Sequence, residues 1–381
     1  MPGYDVAILG GGPAGTATGL ELKRNEPGLR VLLVEAEVSS GWQIGETLAP
    51  GARQLLNGLG CWREVSRDGV LEGVQSQASW GSDRLHAHAF MFSLRGSAWH
   101  LDRARFNESL RAAAEAAGVE VWRGTRFLSA ASGSEGWRLS LSRQSQSVNQ
   151  TVNVGARFVA DATGRSASFA LSQGSRRCLA DRLVAVAAVV RLRDQAVRDP
   201  ATLVEACESG WWYSSVIPGG RLVLAWMSDS DIVRSSSHAR LEPWLEQLRA
   251  ARFTMARALE AETADRVLTW PACSHCLDIA SGPRWVAVGD AASSWDPLSS
   301  AGIIKALRTG KLGAFALLDA IRGIDGGTTK YRNIIAAEHR RYRSDRRTVY
   351  GLERRWSRST FWRRRHADFH GEQGRPSSGE P

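Results

Sequence analysis

The apolar positions of the chain follow two rhythms. Tyr4-Asp-Val-Ala-Ile-Leu9 and Arg30-Val-Leu-Leu-Val-Glu35 are short, nearly continuous apolar runs, the pattern of strands buried on both faces of a parallel sheet. A helical stretch to about Asn25 separates them. Two later runs are built alike: Arg157-Phe-Val-Ala-Asp161 and Trp285-Val-Ala-Val-Gly-Asp290 each end in an acid, and an amphipathic helix starts near Gly302 after the second. In between the rhythm changes. Leu183–Leu192, Trp211–Ile217 and Arg221–Trp226 are strand-like, and Pro218-Gly-Gly supplies a turn. The pattern predicts an α/β fold: a Rossmann-type domain with an inserted β-sheet domain and a C-terminal helical segment.

The link from the first strand to its helix is Gly10-Gly-Gly12-Pro13-Ala14-Gly15. Strand before, helix after and an acid, Glu35, twenty residues past Gly15 complete the dinucleotide fingerprint. Gly10 permits the tight turn, Gly12 lets the backbone approach a pyrophosphate, and Gly15 allows the helix to pack close to the strand. The helix N-terminus turns its positive end to the phosphates. Glu35 suits the ribose hydroxyls of an unphosphorylated adenosine. Asp290, at its strand end, suits a second ribose-like polyol, and the small-residue loop after it offers N–H groups to an anionic ring edge. Asp161-Ala-Thr-Gly-Arg165 repeats the form of strand, acid and glycine turn. An NAD enzyme has no need of three such elements, whereas an extended FAD does.

Composition changes the picture only by exclusion. The 381 residues are 43% hydrophobic and 23% charged, as in a globular protein. No apolar run reaches the ~18–20 residues of a membrane helix, and the start has no secretory pattern. Five cysteines make no disulfide framework, so a reduced, cytoplasmic setting is expected. The net charge of +10 is local: eleven arginines against Asp345 and Glu353 between His339 and His366 carry +9 of it. The rest has no basic stripe, so no nucleic-acid partner is expected. Only four residues are lysine (Lys23, Lys305, Lys311 and Lys330), against 45 arginines.

Together the motifs resemble those of the FAD-dependent monooxygenases of the aromatic-hydroxylase fold. The branch is that of the flavin-dependent halogenases and of the hydroxylases that mature tryptophan-derived quinone cofactors. The resemblance rests on Gly10–Gly15 with Glu35, Gly45-Glu-Thr47-Leu48 with Pro50, and Leu101-Asp-Arg103-Ala-Arg-Phe106. Asp161–Arg165, Gly210-Trp-Trp-Tyr-Ser with Pro218-Gly-Gly-Arg221, and Gly289–Ile303 complete it. It implies an FAD-binding domain of 1–75, 100–180 and 270–330 and a substrate domain of 76–99 and 181–269. Basic helices over 331–368 and a disordered tail, 369–381, would follow. The cofactor set would be Gly10, Gly12, Pro13, Ala14, Gly15, Glu35, Thr47, Arg103, Asp290, Pro297, Gly302 and Ile303. Asp290 would meet the ribityl–pyrophosphate chain, and Pro297, Gly302 and Ile303 would lie along the isoalloxazine ring. Arg103 or Arg105 would help hold the dinucleotide, or either is a surface arginine.

The implied reaction is hydroxylation of an electron-rich aromatic ring, an indole or phenol, through a flavin hydroperoxide with O2 as co-substrate. The target would be a small molecule, a peptide tryptophan or a carrier-tethered group. Electrons would come from NAD(P)H or from reduced flavin supplied by a partner reductase, since there is no second GxGxxG. Halogenases relay their oxidant through a lysine soon after the glycine motif and carry Trp-x-Trp-x-Ile-Pro. Here no lysine lies between residues 24 and 304, and Tyr213 and Ser215 stand in the tryptophan positions before Ile217-Pro218. A geranylgeranyl-reductase-like saturase and a non-catalytic assembly flavoprotein remain the other classes.

Candidate chemistry in the substrate domain is weaker. His86, His88, His100 and Glu205 are possible bases, with His86 and His88 on one strand face, where a solvated role is the alternative. Trp295, just before Asp296-Pro297, is the best candidate for a side chain near the flavin; with Pro297 and His86 it forms the catalytic set. Trp80, Trp99, Trp211, Trp212 and Trp226 either line an aromatic pocket or fill a core. Cys273-Ser-His-Cys276 has no second CxxC and reads as packing, with no metal expected. The Arg clusters and aromatics of Tyr342–His366 suit helices that cap the FAD domain. Their basic face is solvated or docks an acidic protein or carrier-bound substrate.

Overall fold

The computed structural model describes residues 3–37, 44–67, 69–90, 96–145, 148–194 and 200–370. Two compact units divide the chain: Met1–Val70, Leu101–Leu179 and His275–His339 form one, and Leu71–His100, Ala180–Ser274 and Arg340–Pro381 the other.

In the first unit the buried runs assemble as a Rossmann-like parallel sheet. Its order is Ser281–Gly282, Trp285–Ala287, Val148–Asp161, Gly3–Leu9, Val31–Val34, Glu120–Trp122. Ala7 lies between Leu32 on one side and Val159 on the other, and Val159 faces Trp285. Val6, Ile8, Leu9, Leu32, Leu33, Val159 and Val286 are wholly buried, which is why these strands read as continuous apolar runs. The first strand lies between two parallel neighbours, so the strand ends Leu9, Val34 and Asp161 stand side by side at one edge of the sheet, where α/β sheets bind ligands. Val148–Asp161 serves twice. Its far half pairs in parallel with Gly3–Leu9, and its near half pairs antiparallel with Gly136–Ser145, itself hairpinned to Thr125–Gly133.

Two helices, Pro13–Asn25 and Gly302–Ile321, pack together on this sheet. Thr18 Oγ1 donates to the Gly310 carbonyl at 3.1 Å, and a Cβ on Gly310 would collide with the Ala14 carbonyl. Small residues here bring the backbones into contact.

The second unit is a seven-stranded sheet ordered Leu268–Pro271, Leu183–Arg191, Arg221–Asp229, Gly210–Ile217, Thr202–Cys207, Gln75–Ser79, His86–Ala89. All three strands read from the middle of the sequence are present. Adjacent residues point to opposite faces, and the tryptophans use both. Trp212 and Trp226 are cross-strand partners buried with Trp244 of helix Leu241–Arg249, whose Nε1 donates to the Val186 carbonyl at 3.0 Å. Trp211, on the other face, donates from Nε1 to Tyr350 Oη at 3.0 Å, and Trp80 meets Trp211, Tyr350 and Trp362 edge-on.

Of the two readings of these tryptophans the core one holds for Trp211, Trp212 and Trp226, each 1% exposed or less. One expectation changes. The aromatic side of the C-terminal segment, expected to cap the FAD domain, is buried instead in this second unit. There Tyr350, Phe361 and Trp362 find aromatic edges to pack on. The segment forms helices Gly327–Leu352 and Thr360–His370, so helix runs on through His370, and the expected tail beyond it lies outside the described residues. Part of its charge is neutralised internally. Arg346 pairs with Asp181, Arg355 with Glu353, and Arg364 and Arg365 with Asp229. No helix among the described residues is long and apolar enough to cross a membrane.

Candidate functional site

The glycine loop sits where the sheet crevice opens. Gly10 has φ +118°, and a Cβ there would run into the Ala162 carbonyl; one on Gly15 would run into the Gly10 carbonyl. Gly12, by contrast, has no atom within 4 Å of its would-be Cβ, so the loop is crowded from below and open on the side a pyrophosphate would take. Pro13 and Ala14 begin the helix directly from this loop, and no side chain caps its N-terminus. Its free N–H groups and positive dipole end are left for an anion.

Glu35 closes the loop's rim. Its Oε2 accepts from Gly11 N at 2.8 Å and its Oε1 from Glu37 N at 3.0 Å. A residue the sequence reading missed stands behind it: buried Arg111, from helix Arg103–Ala116, donates to the Gly11 carbonyl at 3.3 Å and lies 3.9 Å from Glu35 Oε2. Only its position two turns after Arg103 on the same helix could have signalled it.

Arg103 begins that helix, which Asp102 caps by accepting from Ala104 N and Arg105 N. Its Nη1 donates to the Gly45 carbonyl at 3.1 Å and its Nε to Asn107 Oδ1 at 3.1 Å. Burial lowers its affinity for the proton, opposed by Glu46 and Asp290, which puts all three groups within electrostatic reach. Thr47 follows at half-exposure in a short strand, so the Gly45–Leu48 motif and Arg103 do converge. Arg105 is exposed.

The two later acids, alike in sequence, differ in the structure. Asp161 is fully buried and accepts from Thr163 N, Thr163 Oγ1 and Ala170 N. Burial raises its pKa against those bonds. It clamps its own turn and offers nothing to a ligand, so the third element of the expected triplet is a clasp. Asp290 keeps a third of its side chain exposed. Burial resists its ionisation, but Lys305 and Arg165 overcome that and hold the carboxyl below the usual range. Lys305 Nζ lies 2.5 Å from Oδ1, and Arg165 Nε 3.6 Å from Oδ2.

Beyond Asp290, Trp295 donates from Nε1 to Ser293 Oγ at 3.1 Å, and Lys305 Nζ stands 5.5 Å from its ring centre. Asp296 accepts from Leu298 N at 2.9 Å and fixes the Pro297–Ser299 turn. Gly302 then opens its helix exposed, with no side-chain cap, and Ile303 turns inward. Gly10–Gly15, Glu35, Thr47, Arg103, Asp290, Trp295, Pro297, Gly302 and Ile303 thus all belong to the first unit. His86 does not: it lies exposed on the outermost strand of the second unit, hydrogen-bonded to Ser82 Oγ at 3.0 Å. Of the other base candidates, His100 is buried and spends Nδ1 on Ser215 Oγ and Nε2 on the Pro200 carbonyl. Glu205 is buried capping helix Arg252–Ala258 through Phe253 N and Thr254 N. Burial pushes the Cys276 thiol up to about 11 and His275 down to about 4. Among the described residues no group of His, Cys, Asp or Glu is arranged to hold a metal ion.

A glycine cradle open over Gly12, an uncapped helix above it, an acid on its rim and a second ionised acid across the crevice fit a flavin adenine dinucleotide. The class is therefore that of the FAD-dependent oxidoreductases. The FAD binding domain family matches residues 3–304, and the chain belongs to it. It is 29% identical over 370 residues to LodB of Marinomonas mediterranea, whose name assigns it to the FAD-dependent oxidoreductases; the match spans 96% of this chain and 98% of LodB. The fold is shared with the myxobacterial chondrochloren halogenase CndH, at a TM-score of 0.83 and 22% identity over 96% of this chain and 86% of that one. It is shared also with the peptidyl tryptophan dihydroxylase QhpG of tryptophylquinone cofactor biogenesis, at 0.76 and 22% over 95% and 78%.

Proposed function

We propose that this oxidoreductase is a monooxygenase that hydroxylates an electron-rich aromatic ring, with an indole, including a peptide tryptophan, preferred. The observation that carries this reading over halogenation is the state of the only lysine near the site. No lysine occurs between residues 24 and 304, and Lys305 is bound to Asp290 and to the Ser293 carbonyl. A committed, buried ammonium has no free lone pair with which to carry an activated halogen, and arginine is no substitute for an amine. QhpG supports the same direction by the peptidyl tryptophan of its own name.

Gly10–Gly15 and the helix behind it would hold the pyrophosphate, Glu35 the adenosine ribose, and Arg103 and Asp290 the chain toward the flavin ring. Bound and reduced, FAD supplies the two electrons that activate dioxygen for transfer to the substrate. Trp295 and the rigid Pro297 turn would wall the ring from water and orient the aromatic substrate. Electrons would come from NAD(P)H directly or from a partner flavin reductase.

The test is a product mass. FAD-loaded protein, reduced anaerobically with NADH, NADPH or an added flavin reductase, is mixed with air, bromide and a tryptophan-containing peptide or indole. A gain of one or two oxygen atoms supports the reading. A brominated product overturns it in favour of halogenation, and reduced flavin that never oxidises any aromatic tested overturns the monooxygenase altogether.

A further inference from the structure

In a chain with 45 arginines and four lysines, surface cations are almost all guanidinium. Lys330 is exposed, Lys311 and Lys23 half-exposed, and Lys305 alone is buried, with 2% of its side chain accessible. Its position is costly twice over. Burial disfavours the charged form, and the ammonium stands one turn into helix Gly302–Ile321, whose positive dipole end repels it. What offsets the cost is a compact set of contacts that a guanidinium could not fill. Nζ donates to Asp290 Oδ1 and the Ser293 carbonyl and stands against the Trp295 ring, so one atom ties down three points of the loop.

The titratable groups facing this pair come from several elements. Arg165 reaches Asp290 from the Gly164–Ser166 turn, and Arg103 from the helix it begins. His275 and Cys276 face it from strand His275–Leu277, with Arg177 beyond, and Glu338 faces Lys305 from helix Gly327–Leu352. Lys305 is the nearest cation to the carboxylate and the only one buried with it.

We propose that Lys305 is a positioning residue for the cofactor: it pins the Asp290–Trp295 loop and keeps the Asp290 carboxylate ionised, with its exposed side presented to the hydroxyls of the FAD ribityl chain. The inference rests on FAD binding and not on the identity of the aromatic substrate. Without Lys305, burial would win over the more distant Arg165 and Arg103, and Asp290 would take up a proton at mildly acidic pH.

The sign follows from the held-down carboxyl. In the natural protein Asp290 stays charged across pH 5.5–8, so FAD affinity should vary by less than about twofold over that range. In Lys305→Met, each unit by which the Asp290 pKa enters the range weakens binding about tenfold at the acid end. Apoprotein titrated with FAD, followed by flavin fluorescence, should show Lys305→Met binding at least about tenfold weaker at pH 5.5 than at pH 8. Asp290→Asn should weaken binding at every pH and erase the pH dependence, and adding Lys305→Met to it should leave the pH profile flat.

A flat pH profile in Lys305→Met, or a pH dependence that persists in the double variant, would overturn the proposal. Should Lys305→Met fail to fold by circular dichroism, Lys305→Gln takes its place. Asp290→Asn decides alone if neither folds, since undiminished FAD affinity there removes the group that Lys305 is said to position. Failure of the natural protein to bind FAD would be a different result, striking at the family function itself.

Discussion

Asp229 in the second unit and Asp290 in the first are both carboxylates held well below the usual pKa by cations, against the resistance of burial. They are finished differently. Asp229 is 3% exposed and saturated: Arg364 Nη1 lies 2.8 Å and Arg365 Nη1 3.3 Å from its Oδ2, and Arg365 Nη2 2.9 Å from its Oδ1. Arg364 also spans to Asp231 at 2.6 Å. Asp290 has one tight and one loose cation and a third of its surface open. A saturated buried ion pair holds the chain together, whereas an unsaturated one keeps a charge available to a ligand. Ion-pair strength alone would not have separated these two.

The contrast breaks most directly at Asp229. Asp229→Ala strands Arg365 in the interior and should cost about 3–5 kcal/mol of stability, read by urea denaturation. FAD affinity of the folded fraction should be unchanged; a lost affinity with unchanged stability would reverse the two roles. His275 sharpens the electrostatics next to Asp290. With its folded pKa near 4 against 6.5 ordinarily, the unfolded chain binds the extra proton first as the pH falls. Stability should therefore fall from pH 6.5 to 4 by about 3 kcal/mol from this group and no further below 4. His275→Gln should remove that slope, and a slope equal to the natural protein's would refute it.

Gly15→Val tests the cradle itself. The added side chain meets the Gly10 carbonyl, so FAD retention on gel filtration should fall more than about a hundredfold in affinity, about 2.7 kcal/mol. Retained cofactor would show that the loop can shift. The smallest effect is expected at His86, exposed on an outer strand. His86→Ala should move stability by less than about 0.5 kcal/mol and leave FAD binding alone. A large loss of substrate turnover with FAD still bound would restore it as a catalytic base.

What the sequence disclosed was whatever depends on backbone alone. Gly10, Gly12 and Gly15 are read from spacing because a turn, an open approach and a close helix packing each exclude a side chain within a few residues. Asp161 and Asp290 look alike in local pattern, and only the family resemblance put Asp290 alone in the cofactor set; the physical difference lies in Thr163 and Ala170 answering one and Lys305 the other. Lys305 was visible only as a member of a short count of lysines. Its burial depends on a loop fifteen residues upstream folding back onto its helix. For the tryptophans the sequence left pocket and core both open, because only the register decides it: Trp212 and Trp226 are cross-strand neighbours whose rings complete a core.

The strand Val148–Asp161 carries one more consequence, for synthesis on the ribosome. Its hairpin with Gly136–Ser145 and its pairing with Gly3–Leu9 can form as soon as Asp161 has emerged. On its other edge Val159–Asp161, beyond the stretch that Gly136–Ser145 covers, must wait for Trp285–Ala287. At about 5–20 residues per second the intervening chain takes roughly 6–25 s to appear. For that interval the nascent sheet exposes an apolar edge ready to pair with any passing strand. Helix Gly302–Ile321 and Lys305 follow later still, so the residues assigned to the cofactor are complete only after that edge can close. Slow synthesis or truncation before Lys305 should send the chain toward aggregation with FAD unable to rescue it.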